Sequence, residues 1–260
     1  MIEETIADFP ALHAGSDGPP VMLLHGFGSD RTSWRLNQMA LAETAQTAAP
    51  DLPGHGASTL PVGDGSIATL SRAVEPFLVR IGPAHLVGHS LGGAIAVDLA
   101  ARRPDLVLSL FLVAPAGLGK GIDPHFLTAF PEMQTVADAD AIMKTLVARP
   151  RLIGPQVGPF VLGEVSRPGA REALRLIAAQ LGHAHKAIAD AVVRVSRTSL
   201  PRLVLWGAAD LSNPRDETYL ATFRSEFVLL KEAAHLPHME NPGTVNPLMR
   251  DFLARAASRS

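Results

Sequence analysis

The chain has 260 residues, 47% of them hydrophobic and 18% charged, enough for one well-filled α/β domain and too apolar for a disordered chain. A formal net charge of −2 gives nucleic acid or an anionic membrane surface nothing to attract, and the absence of cysteine excludes disulfides, thiolate nucleophiles and cysteine metal sites. The opening decapeptide MIEETIADFP is acidic where a secretory leader would be basic, and no run of about 18 uninterrupted apolar residues occurs, so the expectation is a cytoplasmic protein with no membrane partner.

In chain order, residues 2–15 read as short edge strands. VMLLHG (21–26) is the first buried strand, and a weaker one covers 45–49, before Asp51. AHLVGHS (84–90) follows, then a helix over 94–102 with apolar positions at helical spacing, then SLFLVAPA (109–116). Short apolar runs alternating with helical patterns predict a mainly parallel sheet covered by helices on both faces. Between 117 and 199 the rhythm breaks. No buried strand is evident there, and helical patterns recur over 132–148, 169–181 and 186–195, punctuated by Pro150, Pro155, Pro159 and Pro168. One crossover needs only a dozen or so residues, so this interval reads as an inserted helical cap or lid, residues 119–198, on a core formed by 1–118 and 199–260. RLVLWG (202–207) and EFVLLK (226–231) resume the sheet.

The strongest chemical signal is Gly88-His89-Ser90-Leu91-Gly92, a G-x-S-x-G segment at a strand end and before a helix. A tight turn of this kind exposes the serine hydroxyl, and its glycines let the backbone fold back. Ser90 is the expected nucleophile. The base should follow the last strand and the acid the penultimate one, in the order Ser…Asp…His. His235 stands at the junction after 226–231 and is preferred to His238, which reads as a packing neighbour, with Glu240 orienting the segment. Asp210 lies three residues past RLVLWG, with Asp216 as fallback. Zinc held by His235, His238 and Glu240 is the weaker reading, because no further ligand is indicated. The oxyanion hole is expected from the N–H groups of Leu91 and of Phe27, in the His25-Gly26-Phe27-Gly28 loop. His25 and Gly26 are placed beside the substrate, although His25 reads first as a brace for its own loop; Asp51, His55 and His89 read as structural. Phe126, Phe130 and Phe160 of the insertion are candidates for an apolar substrate pocket.

Five ordered motifs, HGFGS (25–29), DLPGHGAS (51–58), GHSLGG (88–93), WGAAD (206–210) and HLPHMENP (235–242), make the chain resemble the α/β-hydrolase superfamily over nearly its whole length. LLHGFGSDRTSW, PDLPGHGAST, AHLVGHSLGG and FLVAPAGLG further resemble the hydrolase-like domain of the dihydrolipoamide acetyltransferase component of acetoin dehydrogenase complexes. Those proteins carry an N-terminal lipoyl domain, which this sequence is not expected to have. The resemblance implies an α/β-hydrolase fold with a helical cap, and a serine hydrolase cleaving an ester or thioester with an apolar portion, with no cofactor. It leaves open acyl transfer to a lipoyl-carrier partner, C–C bond hydrolysis, cofactor-free haloperoxidase chemistry and a non-catalytic binding role. Haloalkane dehalogenation and epoxide hydrolysis are disfavoured, because relatives with those activities have aspartate where this chain has Ser90. Apolar cap surface would also suit a homodimer.

Overall fold

The computed structural model describes residues 1–258. Eight strands form one sheet: β1 (Ile2–Ile6), β2 (Phe9–Ala14), β3 (Pro20–Leu24), β4 (Gln46–Pro50), β5 (Ala84–His89), β6 (Val107–Val113), β7 (Arg202–Gly207) and β8 (Glu226–Leu230), in the spatial order β1-β2-β4-β3-β5-β6-β7-β8. β1, β2 and β4 pair antiparallel; every pairing from β4 through β3 to β8 is parallel. This is an α/β-hydrolase fold. Leu24 pairs with Gly88, Gly88 with Leu112 and Val113 with Leu205, so the carboxyl ends of β3, β5, β6 and β7 are level. Chain direction across the sheet reverses between β3 and β5, which opens a crevice above their carboxyl ends, where α/β sheets bind ligands.

The central strands are apolar on both faces because both are covered. Alternation within β3 divides the core: Met22 and Leu24 join the cluster on one side of the sheet, Val21 and Leu23 that on the other, with Trp34, Phe111 and Phe252. β8 departs from the expected buried strand. It is the sheet edge, with Phe227 and Leu229 each more than a third exposed.

The helices of the first half are α1 (Arg35–Leu41), α2 (Ile67–Ile81) and α3 (Leu91–Arg102). α2 buries Ile67, Leu70, Val74, Phe77 and Leu78, a single helical stripe, and starts where the Ser66 hydroxyl accepts the Thr69 N–H. Between β6 and β7 lie α4 (Pro124–Glu132), α5 (Val136–Thr145), α6 (Val157–Val165), α7 (Ala170–Leu181), a single turn α8 (Ala184–Ala187) and α9 (Ala189–Ser196); no strand interrupts them. The pattern over 132–148 is the single helix α5, shortened at its start because a reciprocal cap between Thr135 and Asp138 begins it at Val136. α4 packs on α7 and α5 on α6, whereas α9 packs on α3 beside the sheet. After β7 come α10 (Glu217–Phe223), α11 (Pro237–Glu240) and α12 (Pro242–Ala257). Among the described residues no helix is long and apolar enough to cross a membrane.

Candidate active site

Ser90 sits between β5 and α3 with φ 49° and ψ −113°, a left-handed conformation that costs a non-glycine residue about 1–3 kcal/mol and persists only where the surroundings enforce it. They do so here through the backbone. Ser90 N–H donates to Val113 O at 3.0 Å, and Ser90 O accepts from Ala94 N–H at 3.1 Å and Ala116 N–H at 2.9 Å. The crossing is too close for side chains: a Cβ on Gly92 would stand 2.2 Å from Leu24 O, and one on Gly88 2.5 Å from Gly92 O. The Ser90 side chain borders a cavity of about 270 Å³.

Beyond β7 the chain turns through Asp210, whose Oδ1 accepts the N–H groups of Ser212 (3.0 Å) and Asn213 (2.9 Å). The turn is held by Asn213, which donates to Ala114 O at 3.0 Å and accepts from the Trp206 indole at 2.9 Å. Asp210 Oδ2 accepts from His235 Nδ1–H at 2.8 Å, and both side chains are almost fully buried. An ionised carboxylate can only accept, so the proton lies on Nδ1 and the Nε2 lone pair is left for another partner. His235 lines the same cavity as Ser90. No hydrogen bond joins the two among the described residues; such contacts are often long before substrate binds.

His235 is fixed through its main chain as well. Its N–H donates to Leu146 O at 3.0 Å, and its carbonyl accepts from His89 Nε2–H at 2.9 Å. Glu240 accepts the Ala234 N–H on one oxygen (2.8 Å) and the Ala148 N–H on the other (2.7 Å). The carboxylate is therefore spent on tying the His235 loop to the end of α5, not on a metal. His238 lies behind, its ring between those of Trp34 (4.3 Å between centroids) and His89 (4.7 Å). Burial, and the neighbouring His235, lower its pKa to about 3.

The loop after β3 lies directly on the serine: a Cβ on Gly26 would come within 2.6 Å of His89 Nδ1 and 3.3 Å of Ser90 Cβ. Neither Phe27 N–H nor Leu91 N–H is spent on a backbone carbonyl. His25, one of the residues expected beside substrate, is wholly buried and braces the loop: Nδ1–H donates to Gly26 O (2.9 Å) and Nε2 accepts the Leu52 N–H (2.9 Å). Neither His25 nor Gly26 is among the residues that line the cavity. Asp51 accepts from the Arg31 guanidinium, Arg31 N–H and Ala57 N–H, and His55 Nδ1–H caps Pro53 O.

Phe126, Phe130 and Phe160 all reach the cavity, Phe160 at its mouth with half its surface exposed. Phe27, Phe126 and Phe130 form a ring cluster with centroids 5.4–6.0 Å apart. Met143, Leu146, Val157, Val161, Leu236 and Met239 extend the apolar wall, while Ser29, Asp30, Thr32 and Ser33 form a polar edge. The sequence reading did not find these residues. For the wall no local signal exists, because α5, α6 and the His235 loop meet only in the folded chain.

A family model described as the alpha/beta hydrolase family matches residues 21–248. The dihydrolipoyllysine-residue acetyltransferase component of the acetoin cleaving system of Pseudomonas putida is 35% identical over 243 residues, which is 93% of this chain and 65% of that protein. The chain thus spans just under two thirds of the length of that relative. The monoacylglycerol lipase ABHD6 of Bos taurus is 28% identical over 92% of this chain and 77% of its own. The 2-hydroxy-6-oxo-6-phenylhexa-2,4-dienoate hydrolase of Rhodococcus sp. strain RHA1 superposes with a TM-score of 0.83 at 22% identity, covering 97% of this chain and 98% of that one.

Proposed function

The chain belongs to the alpha/beta hydrolase family, and from that premise we propose that it is a serine hydrolase acting on carboxylic esters or thioesters with an apolar acyl part. The observation that carries the proposal is the 2.8 Å His235–Asp210 contact, which occupies Nδ1 and leaves Nε2 as the ring nitrogen available to a partner beside the cavity that Ser90 borders. In this reading His235 Nε2 takes the Ser90 proton as Oγ attacks the carbonyl carbon, and Asp210 holds the tautomer and stabilises the imidazolium. The N–H groups of Phe27 and Leu91 receive the oxyanion. His235 then protonates the departing alkoxide or thiolate. A water molecule, deprotonated by the same nitrogen, releases the acid from the acyl-enzyme.

The helices from α4 to α8 act as the cap, with α9 assigned to the core because it packs on α3. The His235 N–H to Leu146 O bond and the two Glu240 bonds anchor the cap on its α5 side, so substrate enters from the side of Phe160. The dienoate that names the Rhodococcus enzyme carries a carboxylate, for which this cavity offers no Lys or Arg. Hydrolysis of a C–C bond in such an acid is therefore not the reading adopted. Transfer of the acyl group to a dihydrolipoyl thiol is the second reading, favoured by the 35% identity to the acetyltransferase component. Added dihydrolipoamide would divert product from acid to thioester under that reading alone.

The test is turnover of p-nitrophenyl esters of increasing acyl length, together with mass-spectrometric mapping of a fluorophosphonate adduct. Ester turnover with an adduct on the Ser90 peptide is expected. A folded protein that neither turns over nor labels would overturn the proposal.

His89 Nε2–H holds the His235 carbonyl at 2.9 Å, and its ring lies 4.8 Å from that of His235. His89→Phe is expected to lower kcat by about 10- to 100-fold, the scale of a catalytic group displaced by about 1 Å. His89→Gln, which can still donate, should recover most of it. A change confined to KM would instead assign His89 to substrate binding.

A further inference from the structure

The walls of the cavity differ in chemistry along its length. On the side of α4, α5 and α6 it is lined by Phe, Met, Leu and Val, with one amide, Gln156, at the start of α6; on the side of the loop after β3 it is lined by three hydroxyls, Ser29, Thr32 and Ser33, and one carboxylate, Asp30. No Lys or Arg lines it among the described residues. The cation next in sequence, Arg31, is turned away: its guanidinium pairs with Asp51 and, at 3.4 Å, with Glu3. Arg149, near the His235 loop, donates to Glu240 O and Asn241 Oδ1. Asp30 is itself mostly buried. Its Oδ1 accepts from the Thr32 N–H (2.7 Å) and hydroxyl (2.6 Å), whereas Oδ2 has no hydrogen-bond partner among the described residues and is not sealed from solvent.

Building on the hydrolase reading, we propose that Asp30 is a specificity-determining residue, and that the alcohol part of the substrate presents a hydrogen-bond donor, a hydroxyl or an ammonium, to its free oxygen. The alcohol is assigned to this edge because water for deacylation must enter where the alcohol has left, and this edge groups three hydroxyls and a carboxylate where the opposite side offers a single amide. The long apolar wall takes the acyl chain. An anionic alcohol part would bring like charge into a partly desolvated site, which disfavours binding by on the order of 10- to 100-fold.

The test compares kcat/KM for butanoyl esters of three phenols, carrying a meta carboxylate, hydroxymethyl or aminomethyl group, the last protonated to an ammonium at neutral pH, in wild type and Asp30→Asn. Intrinsic leaving-group reactivity cancels when the two proteins are compared on the same ester. Asn keeps the acceptor that Thr32 uses, and it caps as well as Asp, which a thermal melt would verify. The hydroxymethyl and aminomethyl esters should both exceed the carboxylate ester in the wild type, and their order says which donor is preferred. Asp30→Asn should narrow the cation-to-anion ratio by at least about tenfold. In the unmutated chain, raising salt from 0.05 M to 0.5 M should narrow the same ratio through screening. Ratios that neither the substitution nor salt moves would overturn the assignment of Asp30 while leaving the hydrolase reading standing. Absence of turnover on all three esters, together with no fluorophosphonate adduct, would overturn the hydrolase reading and this inference with it.

Discussion

Ser90→Ala is expected to lower kcat on the best p-nitrophenyl ester by on the order of 10⁶, the scale seen when an activated serine is removed from a triad. Folding should survive. Among the described residues the Ser90 hydroxyl makes no hydrogen bond, and the left-handed backbone is held by main-chain bonds to Val113, Ala94 and Ala116 that do not use the side chain. Asp210→Asn should cost about 10⁴ in kcat. Asn can still receive the Ser212 and Asn213 N–H groups, so the turn persists, but its amide can donate to Nδ1 and favour the tautomer with the proton on Nε2. Steady-state kinetics beside thermal melts check both. A Ser90→Ala protein that keeps more than about 1% of wild-type kcat would remove the serine from the mechanism.

Stability should fall steeply on mild acidification. His55 and His238 are fully buried, and desolvation lowers the pKa of each to about 3; burial lowers that of His85 to about 4. His55 Nε2, His85 Nε2 and both nitrogens of His238 have no hydrogen-bond partner to offset the burial of a charge. In the unfolded chain each would titrate near 6.5. Above that value both states are neutral and the three contribute no pH dependence. Below it the unfolded state binds protons that the folded state refuses, so stability is lost as pH falls from about 6.5 toward the folded values. Each contributes about 1.4 kcal/mol per pH unit, so the three together give about 4 kcal/mol per unit near pH 5. Against a typical total of about 5–15 kcal/mol, unfolding should set in between about pH 4 and 5. Urea midpoints at pH 7, 6 and 5 measure the slope, and His238→Phe, which keeps a ring between Trp34 and His89, should lower it by about 1.4 kcal/mol per pH unit. A midpoint that does not move between pH 7 and 5 would show that these rings take up protons in the folded state.

What the sequence by itself determined was whatever a local period or a short motif encodes. The strand-turn-helix at Ser90 was legible because Gly88 and Gly92 flank a serine between an apolar run and a helical pattern, and the structure places that turn at the crevice between β3 and β5. The order of Ser90, Asp210 and His235 placed them at three strand ends, which parallel pairing makes neighbours. The helical insertion was legible as an interval without a strand, although α4 and α6 were missed. Asp123 and Pro124 are a cap and first-turn signal for α4, and α6 is hidden by an apolar surface with no clear stripe and by Pro159 in its first turn, where a missing N–H costs nothing.

Tertiary structure alone decided the rest, because the deciding contacts join residues far apart in the chain. Leu146 O meets His235 N–H, and Glu240 reaches Ala148, across about ninety residues. No window of sequence contains both partners. His25 reads first as a brace from its motif, but the partners of its two nitrogens, Gly26 O and the Leu52 N–H, come only with the fold. Asp30 carries no local sequence signal, because its chemistry depends on where Arg31 turns, and Asp51, twenty residues away, turns it. Local propensity specifies elements and their order; which charges face a shared cavity is set only when the elements pack.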